Sequence, residues 1–194
     1  MPSTRSHLSS STAAASPSRR IAAYFVDYFV FIVPLLGILS LGAWALRSFN
    51  INLFGYTEWL NHGLAILILT MPVVSYFALS EASRFQATVG KRLMNLSVVN
   101  TKGQRATLKQ TALRAVVKFL PWESFHTIIW HWEGWPSNPA SPTNLQIVAM
   151  TASWLVIGWF LVTLFVGSRR TPYDWAAGTS VIRTTTINAA RNGE

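Results

Sequence analysis

Between Ile21 and Leu46 the only side chain of the Asp, Glu, Lys, Arg or His types is Asp27. A carboxylate at the middle of a helix crossing hydrocarbon costs roughly 2.5–3.5 kcal/mol, less toward the interface, so it demands a partner or a role. Arg20 stands seven residues earlier, two turns back on the same helical face and about 10 Å away along the axis. Two readings of Asp27 follow. Either it pairs with a basic residue of a neighbouring helix, Arg114 or Lys118 being suitable in depth, and fixes packing, or it binds or relays an ion along a polar path.

Glu123 and His126 lie three residues apart and so share a helical face. An imidazole titrates near neutral pH and a desolvated carboxyl is pushed toward it, which suits a proton relay. Glu-x-x-His is also half of a di-iron site, but that site needs a second copy and two further glutamates, and the sequence has no second copy. His131, between Trp130 and Trp132, reads as an anchor at a membrane surface. Asp174 follows Arg169 and Arg170; it is either a solvated, locally paired carboxylate or a buried one receiving bonds from backbone amides or from Gly90, Lys91 and Arg92. Gly90-Lys91 lacks the glycine spacing of a P-loop, and neither a nucleophile elbow nor a dinucleotide glycine pattern occurs. With no cysteine in the chain, disulfides and thiolate-based metal or redox chemistry are excluded. We expect no enzymatic activity, no resident metal and no cofactor.

The elements that carry these residues are apolar. Of 194 residues 51% are hydrophobic and only 12% charged, about half the charge of a soluble domain. Apolar runs at about 21–46, 60–80 and 145–167 are each long enough to cross a bilayer as a helix, which takes roughly 20 residues. A fourth stretch, 115–132, contains Lys118, Pro121, Glu123 and His126. It is either a kinked crossing or a helix lying in the interface or re-entering it.

Charge distribution favours a crossing. Residues 1–20 carry Arg5, Arg19 and Arg20 with no acid, and residues 81–118 carry a net +7, Glu81 being their only acid. Residues 133–144 carry only Glu133, and residues 168–194 carry four arginines against Asp174 and Glu194. Lys and Arg concentrate on the cytoplasmic side of membrane proteins, so both termini and the 81–114 loop belong there. A C-terminus inside requires an even number of crossings after residue 81. Trp130, Trp132 and Trp135 then gather at the opposite interface, and Lys118 can snorkel inward. The whole is an all-α polytopic membrane protein of four transmembrane helices with a small cytoplasmic β-like segment.

Within the loop, LSVV at 96–99 is β-branched, Asn100 to Gly103 has turn chemistry, and Thr107 with Gln110 forms a capping box that opens the next helix. The segment 179–184, TSVIRT, is also β-like, so the two can pair. Residues 1–18, rich in Ser, Ala, Thr and Pro, read as a disordered tail, a composition shared with organellar transit peptides. Residues 185–194 read as a C-terminal tail, leaving a membrane domain at 19–184.

Three blocks of the chain resemble the RDD family of bacterial membrane proteins: RRIAAYFVD with Arg20 and Asp27, ATVGKRLMNLSVVNTKGQ at 87–104, and RTPYDWAAGTSVI at 170–182 with Asp174. Val89 stands where that family usually has Pro, and Asn95 where it often has Gly. The resemblance implies a multi-pass protein of the bacterial cytoplasmic membrane, of a family in which some members are proposed to move cations in exchange for protons. It also favours a buried Asp174. Two functions are therefore expected: a homo-oligomeric exchanger with Arg20, Asp27, Glu123, His126 and Asp174 along a polar network, or a non-transporting adaptor whose basic face holds anionic lipid or a partner protein. Topology accounts for the basic loop, so nucleic acid is not expected as a ligand.

Overall fold

The computed structural model describes residues 14–51, 57–135 and 139–184. The rest of the tail expected at 1–18, and all of that expected at 185–194, lie outside the described residues. The elements in order are α1 (Pro17–Ser48), α2 (Glu58–Ala82), α3 (Val89–Leu93), β1 (Leu96–Asn100), α4 (Leu108–Trp130), α5 (Asn144–Val162), α6 (Pro172–Ala176) and β2 (Thr179–Arg183). The chain is mostly helical, and α1, α2 and α5 are long and apolar enough to cross a membrane. α4, with 23 residues, carries Lys109, Arg114, Lys118 and Glu123 and is not among those three. α5 stops at Val162, short of the expected 167. Turns follow it, with Gly167 and Arg169 in the left-handed region at φ of 53° and 54°.

Prolines shape the two long helices. α1 widens into a π-turn at Tyr28–Ile32 and α2 at Ile66–Thr70. Pro34 and Pro72 each lie two residues beyond the π-turn. A proline ring clashes with the carbonyl four residues back and offers it no N–H, and a wider turn accommodates both defects. The first π-turn begins at the residue after Asp27.

Burial runs opposite to that of a water-soluble bundle. Phe29, Ile38, Leu41 and Trp44 on α1 and Val148 and Leu155 on α5 are exposed, whereas Asp27, Glu81, Arg114 and Asp174 are 2% exposed or less. An apolar exterior around a charged interior suits a hydrocarbon solvent. α2 and α4 pack through Val73, Phe77, Ala78, Ala115 and Phe119, with Phe31, Ile32 and Leu35 of α1 against them.

The expected strand pairing is present. β1 and β2 are antiparallel, with Leu96 opposite Arg183, Val98 opposite Val181 and Asn100 opposite Thr179. Asn100 organises the following turn by accepting the backbone N–H groups of Lys102 and Gln104 on its side-chain oxygen. The stretch 14–18, grouped with the tail in the sequence reading, is held in the fold. Ala14 bridges to Ile182, Ala15 donates its N–H to the Val181 carbonyl at 3.0 Å and is fully buried, and α1 begins at Pro17. Thr107 and Gln110 form the expected capping box, and Thr143 and Gln146 form another at the start of α5.

Candidate functional site

Asp27 leaves α1 buried and meets three neutral donors. Its carboxylate accepts from the Tyr76 hydroxyl at 2.8 Å, the Thr88 hydroxyl at 2.6 Å and the Gly90 backbone N–H at 2.7 Å. It therefore fastens α1 to α2 and to the start of α3. The partner expected in the packing reading, Arg114, lies elsewhere. Lys118 holds its ammonium 3.6 Å from the centre of the Phe77 ring and 5.0 Å from that of Tyr24, a cation–π placement in place of the expected snorkelling.

Only glycine fits at position 90, because a Cβ there would stand 2.0 Å from the Ala23 carbonyl oxygen. Val89 donates its backbone N–H to the Tyr76 hydroxyl at 3.1 Å, a bond that proline cannot make. Asn95 adopts φ of 55°, a conformation that favours glycine and that asparagine tolerates.

A second set of contacts joins α1, α2, α3, α4 and α6. Arg20 of α1 reaches Asp174 of α6 at 2.7 Å, and Asp174 also accepts from Nε of Arg114 at 2.8 Å. Arg114, from α4, turns its Nη1 to both oxygens of Glu81 at the end of α2, at 2.7 and 2.6 Å. Glu81 accepts in addition from Lys91 Nζ of α3 at 2.8 Å. Asp174 is further held by the Thr171 amide and hydroxyl, at 3.1 and 2.7 Å. Burial alone would push its carboxyl up, but the Arg114 and Arg20 guanidiniums and the bonds from Arg20 and Thr171 hold it well below the usual carboxylate range. Arg20, Lys91 and Arg114 thus pair with Glu81 and Asp174, and Asp27 is held separately by neutral donors. So completely bonded a cluster is suited to fixing geometry.

The sequence reading singled out Arg20, Asp27 and Asp174 but not their order. Arg20 serves Asp174, not Asp27, and it is Asp27 that takes the Gly90 amide expected at Asp174. Lys91 goes to Glu81, and the Arg92 guanidinium lies over the Phe85 ring at 3.8 Å. Glu81 and Arg114 are the hub that residue types alone did not reveal. The one available signal was that Glu81 is the single acid among the cations of 81–118.

The other candidates sit apart from this network. Glu123 of α4 accepts from the Thr70 hydroxyl at 2.6 Å and lies 3.0 Å from His62 Nε2, both on α2. Nδ1 of His126 is 3.8 Å from the same carboxylate, so the two residues do share a face. His62 is in turn edge-on to His131, with ring centres 5.4 Å apart. Nδ1 of His131 is 3.6 Å from the exposed Glu58 carboxylate, and its ring lies against Trp59. Its Nε2 is buried without a hydrogen-bond partner among the described residues. A chain of carboxylates and imidazoles, Glu58, His131, His62, Glu123, His126, therefore runs from the start of α2 inward along α2 and α4. His62, His131, Glu58 and Thr70 were not legible as members, since only the α2–α4 packing brings them together. No group of three or more such side chains among the described residues could hold a metal ion.

The chain is similar over 100 residues, at 31% identity, to the uncharacterized protein YxaI of Bacillus subtilis (strain 168), a match that takes in 47% of this chain and 66% of that protein. No solved structure matches. The family model described as RDD family matches residues 14–178. That range begins at the strand-bridging Ala14 and takes in both the Arg20–Asp174 pair and the Asp27–Gly90 contact, and this chain belongs to the RDD family.

Proposed function

We propose that this chain is a four-span transporter of the bacterial cytoplasmic membrane that exchanges a cation for a proton as a homo-oligomer, with Glu123 as the group that takes up and releases the proton. The observation that carries the reading is the setting of Glu123: a carboxylate between two apolar helices, bonded to a hydroxyl and to His62, with His126 behind it. A carboxylate bonded to a hydroxyl and an imidazole can take up a proton and exchange it for a cation. The pairing of β1, after α2, with β2, after α5, supports four crossings. Together with the Ala14 bridge it brings three parts of the chain to one end, an arrangement that fits α4 and α5 going out and back as a pair. α4 has 23 residues, about 35 Å of helix against a hydrocarbon layer of about 30 Å. The basic residues at the sheet end support a cytoplasmic orientation for it.

The completeness of the bonding around Asp27, Glu81 and Asp174 favours a second reading for that end alone: a non-transporting adaptor that holds a partner protein or anionic lipid through its basic face. Purified protein in sealed liposomes, given a cation gradient and a pH-sensitive dye inside, separates the two. Cation-dependent proton flux supports exchange; its absence in tight vesicles supports the adaptor.

A further inference from the structure

Beside the ion network, several arginines at the same end are left without a carboxylate, three of them around the end of α2. Among the described residues Arg84, Arg92 and Arg105 form no ion pair, whereas Arg20, Lys91 and Arg114 all do. Two of them converge: Arg92 lies 3.8 Å from the centre of the Phe85 ring and Arg84 lies 4.8 Å from it. Both guanidiniums are thus held beside one ring, and their planar forks match phosphate oxygens. Arg105 caps the end of α2 by donating Nε–H to the Ala82 carbonyl at 2.8 Å, which leaves further donors of its fork to spare.

Arg92 and Arg105 border adjoining hollows at the end of α2, and Arg84 lies against Phe85, which walls the first of them. A hollow of about 330 Å³ is lined by Leu79, Ser80, Ser83, Phe85, Val89 and Arg92. A neighbouring one of about 480 Å³ shares Leu79 and Ser83 and reaches Arg105 and Leu108. Arginines and serine hydroxyls thus stand at one level, and exposed Leu79, Phe85 and Leu108 form apolar walls. Leu79 precedes Ser83 by four residues, about 6 Å of helix, which is the offset between the start of an acyl chain and its headgroup. A soluble anion has no use for those walls.

We propose that this groove binds an anionic phospholipid, its phosphate held by Arg92 and Arg105 with Arg84 beside Phe85, and its acyl chain along Leu79. The site rests on the sheet end lying at the cytoplasmic leaflet but not on transport, and its test reads binding with no flux measured. A single arginine near an anionic leaflet attracts such lipids only generally; what distinguishes this site is that arginines border two adjoining hollows that share the apolar wall of Leu79.

The test is lipid-dependent thermal unfolding of the full chain in phosphatidylcholine vesicles with and without phosphatidylglycerol. Wild type should unfold at a higher temperature with phosphatidylglycerol, and titration of that lipid into the detergent-solubilised protein should show saturation. Arg84→Gln with Arg92→Gln should weaken the apparent affinity about tenfold or more. Lys102→Gln removes one charge from an exposed loop residue outside the groove, and it should leave the affinity unchanged. Arg92→Lys, which keeps charge and loses the fork, should fall between and decides the matter if the double variant fails to fold. Equal affinity in wild type and in the arginine variants overturns the proposal, as does an equal loss in Lys102→Gln, which would mean diffuse attraction. Inorganic phosphate alone giving the whole stabilisation overturns the lipid in favour of a free anion.

Discussion

The Asp27 carboxylate accepts the backbone N–H of Gly90 at 2.7 Å, and this bond exists because residue 90 has no side chain. A methyl group there would meet both the Ala23 carbonyl and the Asp27 carboxyl carbon. Gly90→Ala should therefore push α3 off α1, costing about 1–3 kcal/mol or more as overpacking does. Unfolding of the purified variant in detergent should show a markedly lowered midpoint. An unchanged midpoint would mean that α3 is not docked on α1 as described.

Arg114 holds two carboxylates from α2 and α6 with one guanidinium. Arg114→Gln leaves Glu81 with Lys91 and Asp174 with Arg20 but removes their shared counter-charge, and breaking a buried pair costs roughly 3–5 kcal/mol. Arg114→Lys should not restore stability, since an ammonium cannot reproduce donors pointing from Nε and Nη1 in different directions. Adding Asp174→Asn to Arg114→Gln should be less damaging than the sum of the two changes, which a double-mutant cycle of unfolding free energies measures.

Acid should act on the same network with a definite sign. The Asp174 carboxyl is held below its ordinary value of 3.8 in the folded protein, so the unfolded chain binds its proton first as pH falls. Its stabilising contribution is full above that value, declines below it and disappears once pH passes the lower folded value. Unfolding midpoints followed from pH 6 downward should drop below about pH 4, and the part of the drop due to Asp174 should be missing in Asp174→Asn.

The absence of cysteine from the chain makes topology directly testable. A thiol introduced as Lys102→Cys should be labelled by an impermeant maleimide only from the cytoplasmic side, and one introduced as Ser141→Cys only from outside. Cytoplasmic labelling at 141 would leave α4 on the membrane surface and remove the fourth crossing.

What the sequence disclosed follows the range of the physics involved. Apolar runs, capping pairs such as Thr107 with Gln110, and β-branched segments such as LSVV are local, and each appears near its expected place. The β1–β2 pairing followed from propensity because few strand-like segments competed. Partner choice among charges was not legible, since Arg114 is as near in helical depth to Asp27 as to Glu81. Only packing of α2 on α4 decides between them. The same packing assembles His62 and Thr70 around Glu123 across sequence separations of 61 and 53 residues, which no spacing rule anticipates. The π-turns were available in principle from Pro34 and Pro72, but a proline in a helix signals a defect without saying which form it takes.

The central claim is that the ion-handling carboxylate is Glu123 and that Asp27 is a structural fastener. It is tested most directly by cation-dependent proton flux in sealed liposomes containing wild type, Glu123→Gln or Asp27→Asn, each confirmed as folded by its unfolding transition. Glu123→Gln keeps the shape of the side chain, and its amide can accept from Thr70 while donating to the unprotonated Nε2 of His62, but it cannot carry a proton, so it should stay folded and lose flux. Asp27→Asn should lower stability, because an amide offers only one acceptor oxygen to donors now gathered on a carboxylate, while the protein that remains folded keeps its flux. Wild-type flux in folded Glu123→Gln, or its loss in stably folded Asp27→Asn, would contradict this assignment.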